Sequence, residues 1–145
     1  PLMNMIVASL TFVPLLMVVC AHFLWSLGRT WPIRNEVLLA QSVVGTPGIT
    51  QMPNKLLIFV VSLLILASGI VALALADHAS GGWWLTVLGA LLAIVFIGRG
   101  VLGYTEVWRE RFPTEPFATL DRRNYSPLCF WIGAGFVILV VMRLL

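Results

Sequence analysis

The stretch LLIFVVSLLILASGIVALALA, Leu56 to Ala76, decides the fold class. It contains no charged residue, and about 20 apolar residues in helix cross the hydrocarbon core of a bilayer. Its Leu, Ile, Val and Ala do not alternate with polar residues as barrel strands do. A segment alone in lipid satisfies its backbone only as a helix. Three further stretches qualify. One runs over about 5–28; another over about 83–108, interrupted by Arg99 and extended through Glu106; the last over about 127–143. The expected architecture is all-α: a polytopic membrane four-helix bundle forming a single transmembrane domain over 1–145.

Composition agrees. Of 145 residues, 60% are apolar and only 10% are Asp, Glu, Lys or Arg, with a mean hydropathy of +1.00. A soluble domain carries roughly a quarter charged residues. The balance therefore excludes a soluble globule, a disordered tail and a nucleic-acid binder. Two cysteines, Cys20 and Cys129, make no disulfide framework and are expected as free thiols. The first span lacks a basic leading region and a small-residue cleavage site, so it does not read as a cleavable signal peptide. Pro1 and Leu2 stand outside the fold argument, with Met3 or Met5 the expected start of translation.

The punctuation between spans is local. Asp77-His78-Ala79-Ser80-Gly81-Gly82 reads as a short polar turn that makes the second and third spans an antiparallel hairpin. Ser126-Pro127 reads as an N-cap with Pro at the first helical position. Trp25, Trp31, Trp83 and Trp84 stand at span ends as interfacial anchors. The fourth span is short, and would either thin the bilayer or continue through Leu145 with Arg143 snorkelling. Arg29, Arg34, Lys55, Arg109, Arg111, Arg122 and Arg123 fall on one side and only Arg143 on the other. By the excess of Lys and Arg in cytoplasmic loops, both termini are expected outside and the loops 29–55 and 109–126 in the cytoplasm.

Two ionisable groups interrupt the spans near that side. His22 lies seven residues before Arg29, about 10 Å along a helix. Arg99 lies equally far before Glu106. Such residues are costly in lipid and usually face the bundle interior, which makes them functional candidates. The alternative is that Arg99 snorkels to lipid phosphate while neutral His22 bonds a backbone carbonyl. Asp121 is the expected partner of Arg99, because it arrives from another segment and a carboxylate there would neutralise the guanidinium. This pair would form either a substrate site or a clamp fixing the fourth helix. Trp25 shares a helical face with His22. Gly98, Gly100 and Gly103 around Arg99 would admit a close backbone or ligand.

Several chemistries lack their residues. There is no Cys-x-x-Cys and no Gly-rich phosphate loop with Lys. His22 and His78 fall on opposite sides of the membrane, so no two-histidine metal or haem site is expected, and no cofactor. A nucleophile built from Ser126, His22 and Asp121 would compete with the cap at Ser126. No catalytic residue is assigned.

The run Phe117-Ala-Thr-Leu-Asp121-Arg-Arg-Asn-Tyr125-Ser126-Pro127-Leu128-Cys129 resembles the signature entering the last helix of the bacterial domain-of-unknown-function family 3995. Further marks of that family are a His and an aromatic near the end of the first helix, here His22 and Trp25, and Arg-x-x-Gly closing the third, here Arg99 to Gly103. Where members often carry an acid after that Gly, this chain has Tyr104. The resemblance covers nearly the whole chain and implies a small four-helix inner-membrane protein. It implies no activity.

These readings give a multi-pass protein of the bacterial cytoplasmic (inner) membrane. His22, Arg99, Asp121 and Tyr125 are expected to form a polar pocket open to the cytoplasm, with Trp25 and Tyr104 completing the candidate ligand-binding set. The leading function is to bind or transport a small amphiphile, ion or lipid, or to support envelope integrity. The expected partners are membrane lipids, a second copy in a homo-oligomer and other membrane subunits. A lipid-modifying enzyme using His22 as acid/base and Arg99 as phosphate clamp, and an accessory subunit of a larger membrane complex, are the alternatives.

Overall fold

Charge-free runs set the long helices, and Gly, Asn and Thr set their ends. The computed structural model describes residues 2–79 and 81–145, and every regular element in them is helical. In chain order these are α1 (Leu2–Ser26), α2 (Glu36–Val43), α3 (Lys55–Leu75), α4 (Gly82–Leu102), α5 (Glu106–Arg111), α6 (Phe117–Leu120), a π turn (Asp121–Tyr125) and α7 (Ser126–Leu144). Four helical segments are long and apolar enough to cross a membrane: α1, α3, α4 and the continuous run Phe117–Leu144. Within the expected polar turn, Ser80 lies outside the described residues, as does Pro1 at the start.

Each span stops for a local reason. Gly28 takes φ +84°, which a side chain would resist, so the amides of Gly28 and Arg29 fold back onto the carbonyls of Trp25 and Leu24, each at 3.0 Å. Asn35 caps α2 and Asn54 caps α3, their side-chain oxygens accepting from the amides of Leu38 at 3.2 Å and Leu56 at 2.7 Å.

Neighbouring spans run antiparallel. α1 lies along α3 and α4 along α7, while α7 also packs on α1 and α3 on α4. The bundle is thus a ring of four in which α1 and α4 stand across from each other. Its core holds Leu15, Ala72, Leu75, Ile132, Phe136 and Leu139, with Phe96 stacked on Phe136 at 5.9 Å between centroids. Outward faces carry Leu64, Ile94 and Val95, as suits helices surrounded by hydrocarbon rather than water. α1 and α7 approach closely at Gly135, where a Cβ would overlap Thr11.

One span carries a proline, and the bundle compensates for it. Pro14 lies inside α1 and has no N–H to give the carbonyl of Leu10, four residues earlier. The indole Nε1 of Trp131 on α7 donates to that same carbonyl at 2.9 Å. In lipid no water would replace this donor. Trp131→Phe should therefore cost about 1–2 kcal/mol in unfolding measured in mild detergent. The same change should be nearly neutral in a Pro14→Ala background, where the helix supplies its own donor.

The two long connections meet at one end of the bundle as a layer. Tyr125 Oη donates to the carbonyl of Ser42 at 2.8 Å, and Thr114 Oγ1 to that of Thr46 at 3.0 Å. Phe117 fills the space over Gly45, whose φ of +78° and missing Cβ both suit the contact. At the opposite end Arg143 lies among the carbonyls of the α3–α4 turn: Nη1 reaches Asp77 at 2.9 Å and Leu75 at 3.4 Å, and Nη2 reaches Gly82 at 3.2 Å. Its Nε donates to Thr86 Oγ1 at 3.0 Å.

The structure corrects four local expectations. The third span ends at Leu102 instead of running to 108, because the chain breaks at Gly103 and restarts at Thr105. The fourth helical segment starts at Phe117, ten residues before the expected 127, with Asp121, Arg122 and Arg123 in its opening turns, and its apolar part continues through Leu144, the second of the two expected alternatives. Ser126 is not its cap: φ −65° and ψ −45° place it within continuous helix, its amide bonded to the carbonyl of Asp121 in π register. The wider register suits Pro127, which has no amide for the usual partner. Arg143 does not snorkel outward, since the turn carbonyls hold it.

Candidate functional site

The site is made by the break after α4. Thr105 has extended backbone and its Oγ1 accepts from the amide of Trp108 at 3.3 Å, starting α5 in a new direction. This turns the Trp108 indole back over α4, so that the Arg99 guanidinium carbon lies 4.4 Å from the ring centroid. Asp121 arrives from the π turn, and its side chain uses both oxygens. Oδ1 accepts from Arg99 Nη2 at 2.5 Å and Oδ2 from Trp108 Nε1 at 2.9 Å.

Burial makes the arrangement consequential. Asp121 is 2% exposed, whereas the Arg99 side chain is 27% exposed at its outer edge. A buried carboxylate persists only when paired and hydrogen-bonded, and here both conditions hold. Gly103 makes room for the group: a Cβ there would collide with Ser126 Oγ and stand 3.0 Å from both Arg99 Nη1 and Asp121 Oδ2. Arg99 Nη1 and Ser126 Oγ are buried beside it without a hydrogen-bond partner among the described residues.

Of the other candidates, Tyr104 and Tyr125 lie beside this pair, and His22 and Trp25 lie apart from it. Tyr104 flanks it, donating through Oη to the carbonyl of Arg122 at 2.6 Å and stacking on Phe130 at 6.3 Å. Tyr125 turns to Ser42 and packs beside Phe117, their centroids 5.8 Å apart. His22 Nδ1 donates to the carbonyl of Val18 at 2.8 Å, which leaves Nε2 as the acceptor nitrogen, and its ring lies 4.8 Å from that of Trp25. Trp25 Nε1 donates to the carbonyl of Trp31 at 2.5 Å. His22 and Trp25 thus form a second group on α1, across the ring from Arg99 on α4.

Two of the cavities among the described residues have linings that do not include Arg99 or Asp121. One of about 590 Å³ lies at the Arg143 end beside Asn4, Asp77, His78 and Met142, with Asn4 Nδ2 donating to His78 Nε2 at 3.0 Å. The other, of about 210 Å³, lies at the loop end beside Trp25, Arg29, Glu36 and Lys55. The Arg99 group is a knot with its carboxylate buried and its guanidinium partly exposed. Chemically it is a fastening: the guanidinium is paired and stacked, and each carboxylate oxygen accepts a hydrogen bond from a different element.

Sequence reasoning missed Trp108, because apolar residues continue through the end of α4 and conceal the break. Gly103 followed by Thr105 and an acidic first turn at Glu106 was the available signal. Neither a curated protein nor a solved structure matches the chain. The model of the family described as protein of unknown function (DUF3995) matches residues 15–136, spanning the His22–Trp25 pair, the Arg99 knot and the start of α7, and the chain belongs to that family.

Proposed function

We propose that the chain is a multi-pass protein of the bacterial inner membrane, with its loop layer in the cytoplasm and the opposite end outside. It binds membrane lipid or a small amphiphile without chemical turnover and so supports envelope integrity. One observation carries this reading: both long loops are fastened into a single layer at one end. That layer bears Arg29, Arg34, Lys55, Arg109, Arg111, Arg122 and Arg123. Arg143 at the other end is engaged by the turn beside it. A layer at the span ends with Lys and Arg in excess over its acids, Glu36, Glu106, Glu110, Glu115 and Asp121, suits the cytoplasmic leaflet, where positive residues collect. An enzyme would need His22 beside a free phosphate clamp, but Arg99 already holds Asp121 and stands across the bundle from it.

The test has two arms. With Cys20 and Cys129 replaced by Ala, a cysteine at Ala79 should label from outside, and one at Glu115 only after permeabilisation. The reverse pattern would turn the layer to the outside. Protein released directly from membranes into a native mass spectrometer should carry phospholipid, and bare protein would sink the binding reading.

A further inference from the structure

The groove of about 210 Å³ lies between the end of α1 and the start of α3, lined by Trp25, Gly28, Arg29, Thr30, Glu36 and Lys55 among others. Two cations and one carboxylate border it. Yet among the described residues no ion pair joins Arg29, Glu36 and Lys55, so these three charges do not close on one another. Each has a reason to stay in place. Glu36 begins α2 and accepts from the amide of Met52 at 3.3 Å through Oε1. Lys55 begins α3 and lies over the last turn of α1, its Nζ 3.1 Å from where a Gly28 Cβ would stand. That turn ends in carbonyls, which favour a cation. The Trp25 indole, held by its bond to Trp31, forms one wall.

The groove's level and flanks point to a lipid. It opens where two spans end, at the depth of headgroups, with Leu27, Leu56 and Leu57 exposed alongside it. We propose that it seats the phosphoethanolamine headgroup of a membrane lipid. Arg29 and Lys55 take the phosphate, Glu36 takes the ammonium, and the acyl chains run down past the exposed leucines. This rests on the lipid-binding reading above and names its site and ligand class. A glycerol headgroup gives Glu36 no cation, and a choline headgroup gives it no N–H donor. The ethanolamine ammonium supplies both.

The full chain is placed in nanodiscs of phosphatidylcholine containing equal amounts of phosphatidylethanolamine and phosphatidylglycerol, then released into a native mass spectrometer. The wild-type chain should retain phosphatidylethanolamine above the other two. Arg29→Gln with Lys55→Gln should lower that adduct roughly tenfold, while Arg29→Lys should keep it, with helical content by circular dichroism retained in both. Glu36→Gln should still hold phospholipid but lose the preference over phosphatidylglycerol. Wild-type retention by the double variant, or an undiminished preference in Glu36→Gln, would overturn the seat while leaving lipid binding intact. Bare protein in every arm would remove the binding reading itself. Soluble phosphoethanolamine binding as well as the lipid would overturn the assignment to a membrane lipid.

Discussion

Asp121→Ala should destabilise the bundle by about 3 kcal/mol, the lower end of what breaking a buried pair costs. The change strands two donors at once, Arg99 Nη2 and Trp108 Nε1. The lower end applies because Arg99 is 27% exposed and can turn its free edge toward water. Replacing both partners, Arg99→Met with Asp121→Leu, should be milder than the single change, since an apolar pair has no desolvation penalty to recover. The measurement is equilibrium unfolding of the purified chain in mild detergent for Asp121→Ala, for the singles Arg99→Met and Asp121→Leu, and for the double that combines those two. Additive losses would mean that the two charges are not energetically coupled.

Gly103→Ala is the second large effect, expected at about 3 kcal/mol, the upper range for overpacking a tight site. The added methyl overlaps Ser126 Oγ and crowds Arg99 Nη1 and Asp121 Oδ2, and the Ser126 and Asp121 side chains are short and buried. Ser126→Ala alone should be neutral or slightly stabilising, because it removes a buried hydroxyl without a protein partner. Combined with Gly103→Ala it should recover much of the loss. Thermal unfolding of the three variants checks this, and a Gly103→Ala chain as stable as wild type would mean that the knot is looser than described.

The bundle was legible because a bilayer imposes a length, and Leu56 to Ala76 meets it without a charge. The Arg99–Asp121 pair was legible for a related reason: a cation within a span has few carboxylates to choose from. Depth along a helix can be counted from sequence, which placed His22 and Arg99 at one level. Which helices become neighbours cannot be counted, and α1 and α4 ended across the ring. The break at Gly103 was hidden because apolar residues continue past it, and with it the role of Trp108. The π turn was hidden because Ser-Pro is the ordinary way to begin a helix. Trp131 could be understood only once Leu10 had lost its donor to Pro14 and α7 lay beside it.

Arg143 has a consequence for how the chain is made. The carbonyls it holds, at Leu75, Asp77 and Gly82, are synthesised 68, 66 and 61 residues before it. While the chain is being made, the hairpin of α3 and α4 therefore precedes the side chain that engages its turn. Only with the end of α7 does that guanidinium arrive. The last helix fastens the far turn of the bundle, and a chain cut short before Arg143 would leave that turn without it.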